Sequence, residues 1–190
     1  GFWKLRGHAF AELNEFDAAV EEFGKVCRPR LRHAVGTMDD YAFSLLAAGQ
    51  KEEFDRHCSE MIRECKDSGS EYVIEDVAWL CTLSSAETID RGLILRMLRE
   101  RVRTDRFRAT LFGAAEYRNG EYVAAIETLS NAIADIESRK FSVTSGVRSR
   151  LPSALYFLAM AQHRLGHRID AEESLEKAAH TAAECEFEAS

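Results

Sequence analysis

The arginine spacing gives the clearest indication of chemistry in this 190-residue chain. Arg96, Arg99 and Arg103 follow one another at i, i+3 and i+7, so they share one face of a helix. Guanidinium groups bind carboxylates and phosphates through paired hydrogen bonds. The cluster therefore predicts a patch for an acidic or phosphorylated partner segment. The alternative is a solvated helix face paired locally with Glu100 and Asp105.

Histidines and cysteines are the residues that could hold a metal ion. His163 and His167 have the i, i+4 spacing of a helical ligand pair, but Gly166 between them marks a turn. Cys58 and Cys65 share a helix face, and no second ligand pair accompanies them. We therefore predict no metal and no cofactor. The five cysteines are expected to be free, buried thiols of a reducing cytoplasm.

Other classes of function lack their sequence signals. There is no Gly-rich phosphate loop, no G-x-S-x-G motif and no isolated pair of carboxylates, so we do not expect an enzyme. A net charge of −7, without a basic stripe interleaved with aromatics, argues against nucleic-acid binding. No apolar run is long enough to span a membrane. Since the chain starts at Gly1 without a signal peptide, we expect a fragment of a larger protein.

One spacing of small residues recurs along the chain. Gly113 lies twelve residues before Ala125, and Leu129 and Ala132 follow Ala125 by four and seven. Small residues on both helices allow close antiparallel packing, and the later positions fill the seam to the next helix pair. The same frame occurs at three other places: Gly7, Ala19, Phe23 and Val26; Ala42, Phe54, Cys58 and Met61; and Ala159, Ala171, Leu175 and Ala178.

A turn residue stands about five positions before the second-helix marker of each unit. These residues are Asn14, Gly49, Gly120 and Gly166. Glycine and asparagine tolerate the left-handed conformation that closes a helix. The pattern therefore predicts an array of helical hairpins.

The first unit resembles the tetratricopeptide repeat, whose Trp-Leu-Gly-Tyr-Ala-Phe frame recurs about every 34 residues. The matching residues are Trp3, Gly7, Phe10, Ala19 and Phe23. Two positions depart from the frame, because Arg6 occupies the Leu position and Glu116 the Tyr position of a later unit.

A narrower resemblance covers most of the chain. The stretches YAFSLLAAGQKEEFDRHCSEMI, VAWLCTLSS, GAAEYRNGEYVAAI and LYFLAMAQHRLGHRIDAEESLEKA are similar to the C-terminal helical repeats of planctomycete-type bacterial proteins. In those proteins such repeats often follow a Ser/Thr kinase or sigma-factor-like domain. No kinase motif lies in these residues, so the resemblance implies no kinase activity here.

We therefore expect an all-α, single-domain fold of about ten helices in a right-handed superhelical array. The predicted hairpins span 1–28, 31–66, 71–103, 106–137 and 153–184, with an insertion at 138–152.

The resemblance implies a concave groove lined by the first helix of each hairpin. The predicted groove residues are Lys4, His8, Asp39, Phe43, Glu75, Trp79, Tyr117, Tyr156 and His163, with Thr110, Ala114 and Met160 beside them. Aromatic side chains there would anchor a protein or peptide segment. Phe43 and Trp79 could instead pack between first helices.

Two other functions stay open at this point. The chain could be a structural spacer or self-association module of a larger regulatory protein, which an apolar patch at Leu155, Phe157 and Leu158 would favour. It could also be a small-ligand sensor, which a closed cavity around Trp79, Phe43 and Tyr117 would favour.

Overall fold

The computed structural model describes residues 2–27, 37–65, 71–101, 108–138 and 150–189, of which 71, 72, 101 and 186–189 are described by their backbone alone. Within these ranges the chain forms ten α-helices and no strand, which confirms the predicted all-α class. The helices are α1 (Phe2–Glu12), α2 (Phe16–Cys27), α3 (Met38–Ala47), α4 (Lys51–Cys65), α5 (Glu71–Leu83), α6 (Arg91–Arg101), α7 (Ala109–Arg118), α8 (Tyr122–Ser138), α9 (Leu151–Arg164) and α10 (Arg168–Ala189).

The four predicted turn residues all adopt a left-handed backbone. Their φ angles are 59° at Asn14, 71° at Gly49, 85° at Gly120 and 82° at Gly166. The turn at Gly120 is closed by backbone hydrogen bonds, in which the Glu121 N–H donates to the Glu116 carbonyl at 2.9 Å. The turns join α1 to α2, α3 to α4, α7 to α8 and α9 to α10, so the four predicted turn positions are confirmed.

The small residues of the repeated frame lie at helix crossings. Ala19, Ala42 and Ala125 are fully buried. A Cβ atom added to Gly7 would lie 2.6 Å from the Phe23 ring, so only glycine fits this crossing without a shift of its neighbour. The close packing expected from the twelve-residue spacing is therefore present.

The chain divides into two compact units, Gly1–Asp90 and Arg91–Ser190. In the first, α1 packs on α2, α2 on α3, and α3 and α4 both on α5 and on each other. In the second, α6 packs on α7, α7 on α8 and α9, α8 on α9, and α9 on α10. The pairings within each unit are compatible with stacked helical hairpins. The predicted third hairpin, 71–103, is divided, since α5 belongs to the first unit and α6 to the second.

Each unit has its own core of frame residues and helix-face apolar residues. The largest completely buried side chains of the first unit are Phe23, Tyr41, Leu45, Phe54, Met61, Ile74 and Leu80. Those of the second are Leu95, Leu98, Leu129 and Leu155.

The predicted insertion at 138–152 is too wide at both ends. Ser138 belongs to α8, and Leu151 and Pro152 form the start of α9. Proline is compatible with a first helical turn because the N–H groups there have no intrahelical acceptor. Arg150 directly precedes α9, and residues 139–149 lie outside the described residues.

Candidate functional site

The second unit contains a pocket of about 460 Å³ between α9 and α10, with the end of α7 at one side. Ten residues line it: Tyr117, Tyr156, Ala159, Met160, His163, Arg164, Arg168, Ala171, Glu172 and Leu175. A volume of this size is typical of binding pockets for small molecules or single side chains.

Two alanines of the repeated frame give the pocket its space. Ala159 on α9 and Ala171 on α10 are the small residues of this hairpin, and their relative exposures are only 6% and 8%. Because neither side chain extends beyond Cβ, the larger residues around them leave a depression. The helix-crossing pattern therefore also creates the pocket.

Leu175 corrects the predicted packing of the frame. Its position was expected to fill a seam between hairpins, but its side chain is 51% exposed and lines the pocket. The physical reason is that, within the described ranges, only α9 packs extensively on α10.

Tyr117 forms one wall and is held by neighbouring rings. Its ring centroid lies 5.8 Å from that of Phe157 and 5.7 Å from that of Tyr122. The Arg118 guanidinium lies 5.6 Å from the Tyr117 ring centroid. These contacts fix the ring before any ligand arrives, which lowers the entropic cost of binding.

The rim of the pocket is mainly basic. A hydrogen bond with Tyr117 raises the pKa of the Arg164 guanidinium. Across the part of the chain that the structure describes, neither Arg164 nor Arg168 has a carboxylate partner. Glu172 is the one carboxylate among the lining residues, so two guanidinium groups face one negative charge.

Three predicted groove residues meet at this pocket, namely Tyr117, Tyr156 and His163, together with Met160. Tyr156 is 37% exposed and Tyr117 is half-buried. Thr110 and Ala114 were predicted to lie beside the groove residues, and this prediction is wrong. Both residues are buried among the helices. Ala114 and Tyr117 lie about one turn apart on α7. Ala114 packs against the other helices, whereas Tyr117 lines the pocket.

The sequence reasoning missed Arg164, Arg168 and Leu175. A signal was present, because Arg164 and Arg168 stand on either side of the Gly166 turn and so belong to the same hairpin end.

In the first unit, the predicted groove residues meet a carboxylate. The Asp40 Oδ2 atom lies 3.1 Å from the Lys4 Nζ atom and 3.5 Å from the His8 Nε2 atom. Lys4 and His8 therefore connect α1 to α3. Phe43 is 46% exposed and Trp79 is half-buried, so Phe43 does not pack wholly between helices.

The surface around Asp39 in the first unit is acidic. Burial, and then the Asp40 charge, raises the pKa of Asp39. Burial also raises the pKa of Asp76 to about 6, with Asp39 and Glu75 adding like-charge repulsion. The predicted residues Asp39 and Glu75 thus belong to one cluster of carboxylates.

The arginine patch is only partly described. The Arg99 guanidinium lies 2.6 Å from Glu121 and 3.6 Å from Glu116, so it joins α6 to the turn between α7 and α8. Arg96 is exposed, and Arg103 lies outside the described residues. Among the described residues, the carboxylate partners of Arg99 are thus Glu116 and Glu121 of another hairpin, while Asp105 lies outside the described residues.

An exposed apolar patch at Leu155, Phe157 and Leu158 would have favoured a structural spacer, but these side chains are buried. Leu155, Phe157 and Leu158 have relative exposures of 2%, 6% and 7%. They are buried because α9 packs on three helices of the second unit, α7, α8 and α10. A small-ligand sensor was expected to have a cavity around Phe43, Trp79 and Tyr117. Phe43 and Trp79 belong to the first unit and Tyr117 belongs to the second.

Four cysteines are buried and Cys185 is partly exposed, all five as free thiols. Among the described residues no group of three or more His, Cys, Asp or Glu side chains is placed to hold a metal ion. No described helix combines the length and the apolar character needed to cross a membrane.

Comparison with known proteins yields no assignment: no protein-family model matches this chain, and no curated protein matches it.

Proposed function

We propose that this chain is a non-enzymatic protein–protein interaction scaffold of tetratricopeptide-like hairpins, and that it binds a segment of a partner protein. The observation that carries the proposal is the pocket between α9 and α10, where Tyr117, Tyr156 and Met160 surround a space of about 460 Å³. Its location in a bacterial, cytoplasmic regulatory protein is part of the same proposal and rests on the sequence resemblance.

The residue types suit the capture of a partner side chain. Tyrosine offers a large apolar ring with few rotatable bonds, and methionine adapts its shape to different neighbours. Both tyrosines also carry a hydroxyl group that can bond a ligand at the solvent edge. We expect most of the binding free energy to come from one inserted side chain, since few residues dominate typical interfaces.

Binding without covalent chemistry fits the lining of the pocket. The ten residues include no serine, threonine, cysteine or lysine, and among the described residues no hydrogen bond or ion pair between His163 and Glu172 is present that would resemble an activated nucleophile. Their polar groups are instead suited to hydrogen bonds and ion pairs at the rim.

The test is affinity capture from a native lysate with the whole chain as bait. The double variant Tyr156→Ala/Met160→Ala should lose most of the captured partner. Val123→Ala is the matched control, because Val123 is an apolar residue of the same unit that is 70% exposed and does not line the pocket.

The three outcomes have different meanings. A partner retained by the control and lost by the double variant supports the proposal. A partner retained equally by all three proteins moves the binding surface away from the pocket, and no captured partner favours a spacer.

A further inference from the structure

We propose that the pocket selects a segment in which an apolar side chain is flanked by aspartate or glutamate residues. This inference rests on the proposed function and adds the chemistry of its ligand. The juxtaposition that carries it is an apolar depression with Arg164 and Arg168 at its rim.

The interior of the pocket is apolar. Ala159 and Ala171 form its base, Leu175 on α10 is half exposed, and Met160 lies beside them. Covering the exposed part of Leu175 with an aliphatic or aromatic side chain removes apolar surface from water, which contributes about 25 cal/mol per Å² buried. An apolar anchor is therefore favoured over a polar one.

The two rim arginines supply the charge preference. The hydrogen-bond partner of Arg164 is Tyr117 rather than a carboxylate. Arg168 is exposed and begins α10, where the positive end of the helix dipole adds to its own charge. Neither arginine has a carboxylate partner within the described ranges, and Glu172 alone opposes them in the lining.

The rest of the protein makes this preference selective. The chain has a net charge of −7, and the first unit carries the cluster of carboxylates formed by Asp39, Glu75 and Asp76. An acidic segment is repelled by such surfaces and attracted to the pocket rim. Charge complementarity of this kind determines where and how fast a segment docks more than how tightly it binds.

The positions of the charges define the ligand further. Arg164 ends α9 and Arg168 starts α10, so both stand at the hairpin end of the pocket. A carboxylate within one or two residues of the inserted side chain would reach them. The guanidinium group can bind it through two parallel hydrogen bonds.

The experiment selects binders to the whole chain from a phage library displaying random twelve-residue peptides. The enriched peptides should carry a Leu, Phe, Met or Ile with Asp or Glu within two positions. A fluorescent synthetic copy of the most enriched peptide then gives dissociation constants for the wild type, Arg168→Glu and Arg63→Glu.

Arg63→Glu is the matched control, because Arg63 is an exposed helical arginine that does not line the pocket and the change in net charge is identical. We expect Arg168→Glu to weaken binding about fivefold or more, equivalent to about 1 kcal/mol. Arg63→Glu should change the dissociation constant less than twofold, and the Arg168→Glu effect should shrink in high salt.

The experiment distinguishes a wrong charge preference from a wrong proposed function. Enriched peptides without acidic residues, or acidic peptides bound equally by Arg168→Glu, overturn the charge preference. If the Tyr156→Ala variant no longer binds those peptides, the pocket is still a site that binds a segment. A library that yields no binder overturns both.

Discussion

Gly113 and Leu129 are in such close contact that a Cβ atom on Gly113 would lie 2.5 Å from the Leu129 Cγ atom. The two residues lie on α7 and α8, the helices of the central hairpin. Gly7 and Phe23 repeat this relationship in the first hairpin. In both, a glycine of the first helix accommodates a large side chain four positions after the small residue of the second.

Gly113→Ala should therefore destabilise the second unit, because the new methyl group overlaps the Cγ atom of Leu129, whose side chain is fully buried. We expect a loss of roughly 1–3 kcal/mol in the free energy of unfolding, and more for Gly113→Leu. Urea denaturation measures it. The double variant Gly113→Ala/Leu129→Ala should lose less than the sum of the two single changes. An unchanged unfolding midpoint for Gly113→Ala would refute this hairpin register.

The left-handed turns give a second prediction. Gly120→Ala should cost roughly 1–2 kcal/mol, because φ is 85° and a Cβ atom is disfavoured in that conformation. There is open space around the position, so a clash does not contribute. Asn14→Gly is the matched control at a turn of the same kind and should change stability by less than about 0.5 kcal/mol. Equal changes in thermal stability for Gly120→Ala and Asn14→Gly would contradict the left-handed conformation of these turns.

The stability of the first unit should depend on pH through His57. Burial lowers the pKa of His57 to about 4, below its ordinary value of 6.5. The unfolded chain therefore takes up this proton first as the pH falls, and the folded state is destabilised between pH 6.5 and 4, by up to roughly 3 kcal/mol. Urea unfolding across this range should show the slope, and His57→Leu should remove it. A slope retained by His57→Leu would assign it to another group.

Asp76 acts in the opposite direction over nearly the same pH range. Its pKa is raised to about 6, so the folded state takes up this proton first and gains stability as the pH falls from 6 to 3.8. Asp39, whose pKa is also raised, adds to this effect. Asp76→Asn should therefore make the acid-induced loss of stability steeper than in the wild type.

Arg99 should contribute a small, salt-sensitive amount to stability. The Arg99–Glu121 pair is partly exposed, and such pairs contribute about 0.2–1 kcal/mol. A double-mutant cycle with Arg99→Ala and Glu121→Ala should give a coupling energy in this range that vanishes in 1 M salt. Zero coupling in low salt would mean that the contact does not stabilise the turn.

Much of the local structure could be predicted from residue type. Asn14 and Gly120 mark turns because their backbones tolerate positive φ, and Gly113 marks a crossing because it lacks a side chain. These properties belong to single residues and their spacing. The all-α class and the hairpin turns could therefore be predicted from the residue types and their spacing.

The surface was harder to predict, because exposure depends on which helices cover a face. The repeated frame gives Leu129 and Leu175 the same role, yet Leu129 is fully buried and Leu175 is half exposed. Likewise, the Arg99 partner Glu121 is 22 residues away and could not be identified from helical spacing. Tyr117, Tyr156 and His163 were found because the resemblance placed them on first helices.

In the proposed binding mode, a partner segment inserts into the pocket beside Met160. The most direct measurement is an NMR spectrum of the protein labelled with ¹³C at its methionine methyl groups, recorded with and without the enriched peptide. Met38 and Met61 are buried in the first unit and serve as internal references. We predict that the Met160 signal shifts on titration while those two stay in place. Binding of the peptide without any change at Met160 would contradict the account.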